Sequence, residues 1–295
     1  MSRRASTALD PVAAPVRRRA AHFALVRPAL VAAVTTAAAR RVLEAAPPGG
    51  AGRWRRTNHA GHDVTLLEGP AVVAGLVAGT LAASPVHGWS RVTVASALAA
   101  VGAVGAYDDL RGASATKGLR GHLDALRGRQ LSSGTVKVLG IGACGLVSAT
   151  ALRRSLDRTV WHPATALDAL LVAASANLVN LLDLRPGRAL KGALLASAGL
   201  LSRSGAALAA PVTGAALGAA RGDLAGRSML GDCGANALGA AAGGVAVVAV
   251  PAPQRTALLA AVVGLTLASE RVSFSAVIDS SPLLRRVDAL GRPHQ

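Results

Sequence analysis

Apolar positions fall into nine runs separated by short polar loops, at residues 22–43, 69–88, 92–107, 135–152, 164–182, 189–203, 205–219, 235–250 and 256–279. Polar positions of helical period are missing from most of these runs, so the helices they predict have no solvent face and are apolar all round. Crossing a hydrocarbon core of ~30 Å takes ~20 helical residues. Several runs fall short of this; 92–107 would reach only about 24 Å at ~1.5 Å per residue. Arg27 and Pro28 interrupt the first run, and Pro211 bends the seventh, so 189–219 also reads as a re-entrant hairpin. The pattern predicts an all-α, polytopic membrane helix bundle with about nine transmembrane helices over residues 22–280. A flexible basic tail is expected at 1–21 and a short basic tail at 281–295. A water-soluble core of buried helices is the competing reading, and the missing polar faces argue against it. Small residues such as those from Gly75 to Gly79 and from Ala240 to Gly244 suit close helix packing in lipid. Trp89 and Trp161 fall near one set of run ends and Tyr107 near the other, as interfacial aromatics do.

Composition narrows the class further. The 295 residues are 52% hydrophobic, 16% charged and 2% aromatic, which excludes a disordered chain. Net charge is +17, from 32 Lys and Arg against 15 Asp and Glu, and its distribution decides what it means. Loops after odd-numbered runs carry 18 of these cations and loops after even-numbered runs carry 6. The positive-inside rule makes the first set cytoplasmic. The five N-terminal arginines, Arg3, Arg4, Arg17, Arg18 and Arg19, fit that orientation only if the first run does not cross. They resemble a signal peptide in charge, but a cleavage pattern is not evident and the segment reads as retained. Positive charge scattered over alternate loops, without interleaved aromatics, excludes a nucleic-acid partner. Cys144 and Cys233 have no CxxC spacing, so neither a disulfide framework nor a zinc site is expected.

Four acids fall at run ends of the same parity: Asp108 and Asp109 after the third, Asp183 after the fifth and Asp232 before the eighth. A carboxylate at the edge of hydrocarbon is costly unless paired or hydrated, so this convergence predicts a wet, charged site shared by several helices. Interfacial solvation and salt bridges to nearby arginines are the alternative. Adjacent Asp108 and Asp109 repel unless a cation lies between them, which suits a hard metal, Mg²⁺ first. Asn177, Asn180 and Asp183, at i, i+3 and i+6, share one helix stripe about 120° wide. They suit either a polar ligand or helix–helix hydrogen bonds. Lys117, His122 and Lys137 lie on or beside the same face, where cations neutralise phosphates. Glu270–Arg271 reads as a local pair within the last span, and His59 and His62 as loop residues.

Taken in order, these residues resemble the polyprenyl-phosphate N-acetylhexosamine-1-phosphate transferase superfamily over roughly residues 50–280. Asp108-Asp109 is similar to the family's paired aspartates, Lys117-Gly-Leu119 to its KGL element, and Lys137 to the lysine opening the fourth helix. Asn177, Asn180 and Asp183 resemble the NxxNxxD part of NxxNxxDGxDG. Met229, Gly231, Asp232 and Gly234 resemble the (M/F)GDxG motif, and Glu270 with Ser273 an ExxS. The resemblance implies transfer of a sugar-1-phosphate from a UDP-sugar to a polyprenyl phosphate with release of UMP, in cell-envelope glycan synthesis. It implies a plasma-membrane protein with a cytoplasmic active site, Mg²⁺ as cofactor with Mn²⁺ an acceptable substitute, and allows a homodimer. Asp108, Asp109 and Asp232 would be catalytic, with Asp232 and Asp109 on the metal. Lys117, Lys137, Asn177, Asn180, Asp183, Arg185, Arg188 and His122 would bind substrates.

Two departures stand out. Where the family reads DGxDG, this chain reads Asp183-Leu-Arg-Pro186-Gly187, so the second acid is lost, and the cytoplasmic histidine cluster is missing after the last span. Arg185, Arg188 and Lys191 add charge there and suit a different phosphate-bearing donor, and His122 is the residue placed to substitute for a lost histidine. A degenerate relative that binds lipid phosphate or a partner without turnover is therefore the alternative. A small-solute transporter is disfavoured, because the acids gather at one face and not at mid-membrane.

Overall fold

A computed structural model of the protein describes residues 13–83, 88–111, 133–199 and 205–293. Lys117 and His122 lie outside the described residues. The described residues form eleven α-helices and one small hairpin: α1 (Ala13–Ala45), β1 (Arg55–Thr57), β2 (Asp63–Thr65), α2 (Glu68–Ala82), α3 (Gly88–Arg111), α4 (Ser133–Ser155), α5 (Pro163–Leu182), α6 (Arg188–Ala198), α7 (Ala206–Leu224), α8 (Gly231–Ala249), α9 (Ala252–Ser269), α10 (Phe274–Ser280) and α11 (Pro282–Ala289). The fold is all-α apart from that hairpin. Eight of the nine apolar runs fall mainly on one helix each, and the ninth, 256–279, is divided between α9 and α10. Four helices, α3, α4, α5 and α8, are long and apolar enough to cross a membrane, and the α9–α10 pair, bent by 94°, makes a fifth if taken as one span. This marks a multi-pass membrane protein. At 11 residues, α6 would reach only about 16 Å at ~1.5 Å per residue, too short to cross.

α1 begins at Ala13, inside the segment expected to be a flexible tail, and passes through Pro28. Residues 282–289, expected as tail, form α11, with Pro282 at its first position and the Ser281 hydroxyl accepting a hydrogen bond from the Leu284 amide at 3.5 Å.

α8 is the axis of the bundle. Its residues are almost all Ala, Gly and Val, nearly all are buried, and it packs against α2, α3, α4, α5, α6 and α7. Side chains this small let neighbouring backbones come close, which is how helices associate where lipid is as apolar as the protein. Gly105 on α3 shows the tolerance: a Cβ there would lie 2.2 Å from the Asp232 carbonyl oxygen, so only glycine lets α3 reach the first turn of α8. The outward faces carry exposed leucine and valine, among them Leu30 and Val34 on α1, Val138, Leu139 and Leu146 on α4, and Leu265 and Leu267 on α9, the surface a bilayer would cover.

The two ends differ in chemistry. At one, α3, α5 and α7 finish and α2, α4, α6 and α8 begin, and the hairpin lies over them. Thr65 exchanges backbone hydrogen bonds with Arg227 (3.3 Å) and Met229 (2.9 Å), tying the hairpin to the segment before α8. At the other end, Asp168 on α5 takes Arg153 of α4 and Arg255 of α9, each at 2.8 Å and all three buried. Arg158 and Arg255 each donate to the Val247 carbonyl of α8 at 3.0 Å. Trp89 and Trp161 are exposed at this second end and Tyr107 at the first, which keeps the parity read from the sequence. Glu270 and Arg271, read as a pair inside the last span, instead lie exposed at the break between α9 and α10, and among the described residues they form no ion pair.

Candidate functional site

The first turn of α8 organises the site. Gly231 adopts φ 58°, a left-handed conformation that favours glycine, and a side chain there would collide with the Asp109 carboxylate, 2.8 Å from its Cβ position. The backbone N–H groups opening a helix have no partner within the helix. Asp109, from the end of α3, takes two of them: Oδ1 accepts from the Asp232 amide at 3.0 Å and Oδ2 from the Cys233 amide at 2.9 Å. Asp183, just past α5, accepts from the Gly231 amide at 2.8 Å. Two carboxylates from different helices thus cap α8, where the helix dipole also favours negative charge. Burial, and then the neighbouring Asp223, hold the Asp183 carboxyl well above the usual carboxylate range.

Side chains converge just beyond these caps. Lys137, in the first turn and a half of α4, hydrogen-bonds Asp232 Oδ2 and lies 3.7 Å from Asp108 Oδ2. Asp108 and Asp232 therefore flank one cationic point. The carboxylate facing Asp232 across that point is Asp108, while Asp109, expected with Asp232 on the metal, accepts backbone N–H groups with both oxygens at the start of α8. The donor set fits a hard divalent cation held by one or two carboxylates. Among the described residues no three His, Cys, Asp or Glu side chains converge, so the remaining ligands of such a cation would come from substrate oxygens and water.

Asn177 and Asn180 lie two turns and one turn before Asp183 on α5, half-buried, and their side-chain amides make no hydrogen bond to a described residue. Of this stripe, Asp183 bonds a neighbouring helix, through the Gly231 amide. Arg188 is engaged elsewhere: it pairs with Asp288 of α11 through two bonds of 2.7 and 3.1 Å and donates to Ser275 at 2.8 Å. Arg185 lies 3.5 Å from Asp279. The sequence reading gave both arginines to a donor phosphate, yet the structure holds their charge with acids of the C-terminal helices. Burial raises the Asp288 carboxyl, but the Arg188 hydrogen bond and the Arg292 charge outweigh it and hold the carboxyl below its usual range.

Several residues here were not singled out from sequence. Arg56 of β1 donates to the Asp109 carbonyl, linking the hairpin to α3. Asn236, fully buried one turn into α8, donates to the Asp232 carbonyl at 2.6 Å, and its Oδ1 has no partner. Its signal was present: an amide four residues after Asp232 in an otherwise apolar helix. Glu68, opening α2, is fully buried and accepts from the Ser228 hydroxyl. A cavity of about 680 Å³ opens beside Asp183, walled by Asp223, Pro186, Ser228 and Met229 and rimmed by His59, His62, Arg185 and Arg292. The two histidines read as loop residues do lie in the hairpin turn, but at the edge of this cavity.

No family model matches the chain, and no curated protein matches it.

The capping geometry predicts a measurable cost. Asp109→Ala should lower stability by about 1–2 kcal/mol, the usual scale for a lost N-cap, and Asp109→Asn, which retains one acceptor, should recover part of it. Thermal unfolding in detergent measures both, and equal midpoints for wild type and Asp109→Ala would refute the capping role.

Proposed function

We propose that the protein is a divalent-cation-dependent transferase that moves a sugar-1-phosphate from a UDP-sugar to a polyprenyl phosphate at the cytoplasmic face of the plasma membrane. The convergence of Asp108, Asp232 and Lys137 from three helices, joined through Gly231 and Asp183 to a cavity large enough for a nucleotide-sugar, carries this reading. A lipid phosphate oxygen forms a bond to the β-phosphorus of the donor, the bridging P–O bond to the α-phosphate breaks, and UMP leaves. Two anionic substrates must meet, so most of the protein's work is positioning and charge compensation.

Asp232 and Asp108 would hold Mg²⁺, which when bound would neutralise phosphate oxygens and polarise the donor. Lys137 lies where its ammonium offsets phosphate charge once a substrate draws it from the carboxylates. Asp109 and Asp183 set the position of Asp232 by fixing the backbone before and after Gly231. Asn177 and Asn180 offer uncommitted amides to the donor. Lys117 and His122 join the site only by the resemblance, from residues 112–132. The cytoplasmic orientation rests on the basic loops at the site end.

One observation favours the second reading, a lipid-phosphate-binding scaffold without turnover: beside the acid missing at Pro186, Arg185 and Arg188 are taken up by Asp279 and Asp288. A single assay separates the two. Purified protein with Mg²⁺, undecaprenyl phosphate and a panel of UDP-sugars should release UMP from at least one donor, and chelation of the metal should stop it. Binding of undecaprenyl phosphate without UMP from any donor would establish the scaffold instead.

A further inference from the structure

Asp223 belongs to none of the motifs above, yet the fold brings it to the place where a motif is broken. It lies one residue from the end of α7, is 1% exposed, and accepts a hydrogen bond from the Gly187 amide at 2.7 Å through Oδ2. Gly187 follows Pro186, the position at which the aspartate is lost. The resulting carboxylate lines the same cavity as Asp183.

The polar groups around this cavity are unevenly partnered. Its two guanidinium groups are already paired, Arg185 with Asp279 and Arg292 with Asp288, and Arg292 also donates to the Pro186 carbonyl at 3.0 Å. Its two carboxylates are not. Asp183 and Asp223 each give one oxygen to a backbone N–H, and neither forms an ion pair with a described residue. The second oxygen of each has no protein donor among the described residues. Hydroxyl or N–H groups entering here would find, on each of these two groups, an oxygen that no described residue donates to, two acceptors already held in place. A site built around such acceptors rejects ligands that cannot donate to them, because a buried acceptor is then left without a partner.

We infer that Asp223 supplies, from α7, the carboxylate missing at position 186, and that with Asp183 it recognises the uncharged, hydroxyl- and N–H-bearing end of the donor. This rests on the transferase reading. Asp183 joins the two regions: its carboxylate accepts from the Gly231 amide, one residue before Asp232. The donor therefore lies with its neutral end at Asp223 and its diphosphate toward Asp232 and Lys137.

The decisive variant is Asp223→Asn. Its amide oxygen still accepts from Gly187, while the other atom becomes an NH₂ that donates into the cavity and opposes the ligand's own donors. Calorimetry on the detergent-purified full chain with Mg²⁺ would compare uridine, UMP, N-acetylglucosamine-1-phosphate and pyrophosphate. Asp223→Asn should raise the Kd of UMP or of the sugar phosphate tenfold or more, and the one affected reveals whether nucleoside or sugar occupies the wall. Pyrophosphate should bind both proteins alike. Unchanged Kd values for UMP and the sugar phosphate would overturn the inference, as would an equal loss of pyrophosphate.

A second measurement leaves Asp223 intact should the variant not fold. In a Cys144→Ala background, Ala225→Cys places a thiol on the cavity wall. UMP or the sugar phosphate should slow its maleimide labelling and pyrophosphate should not; labelling indifferent to all three would refute the assignment. The outcomes also separate the two readings. Asp223-dependent binding without turnover would remove the transferase and keep the recognition wall. Turnover with a donor affinity indifferent to Asp223→Asn would do the reverse.

Discussion

Asp232→Asn should abolish UMP release without reducing the amount of folded protein in the membrane. The substitution preserves the shape of the side chain and leaves the backbone N–H groups of Asp232 and Cys233 on Asp109, so the start of α8 keeps its caps. What it removes is one of the two carboxylates that flank Lys137, together with half of the donor set for a divalent cation. Loss of one preorganised electrostatic contact costs ~10²–10³ in rate in well-studied transfer enzymes, and here it should be at least ~100-fold for the same reason. Radiometric UMP release and quantitative size-exclusion chromatography of the same preparation provide the two readouts. Activity within a few-fold of wild type would detach Asp232 from the chemistry, and disappearance of the folded peak would make it structural.

The largest effect on stability is expected at the opposite end of the bundle. Asp168→Ala should cost about 3–5 kcal/mol, the range for removing one partner from a buried ion pair, because it strands Arg153 and Arg255 without their shared carboxylate. The three residues join α4, α5 and α9, and Arg255 also binds the Val247 and Val250 carbonyls at the end of α8. Replacing all three by apolar residues of similar volume should restore most of the loss, since the cost lies in the uncompensated charges and not in the absence of the pair. Thermal unfolding midpoints in detergent test both variants. A midpoint for Asp168→Ala within 2 °C of wild type would show that the arginines are solvated and the triad carries no stability.

How much of this was legible in the chain follows from the kind of signal each feature leaves. Helices leave a local one: eight of the nine apolar runs fall mainly on one helix each and the ninth on two, and run parity placed Asp108, Asp109, Asp183 and Asp232 at one end. Length was less secure. α6 stops after 11 residues, and the α9–α10 break at Glu270 has no Pro or Gly to announce it. Within the site, the sequence distinguishes an acid from a neutral residue but not what its oxygens touch. Asp108 and Asp109 are neighbours on one helix, about 100° apart in direction, so one meets Lys137 while the other caps α8. No spacing rule assigns which. Asp223 and Asp288 were invisible for a different reason: their roles are defined by partners 36 and 100 residues away, Gly187 and Arg188. The departure at Pro186 could be read directly, but the carboxylate that stands beside it comes from another helix and appears only in three dimensions.

The central claim is the transfer of a sugar together with one phosphate, and the fate of the donor's β-phosphate tests it most directly. With UDP-N-acetylglucosamine, or whichever donor the panel identifies, labelled at the β-phosphorus, the label should pass into the organic phase with undecaprenyl phosphate while unlabelled UMP accumulates in equal amount. Label remaining in the aqueous phase, as UDP or as free phosphate, would contradict the account.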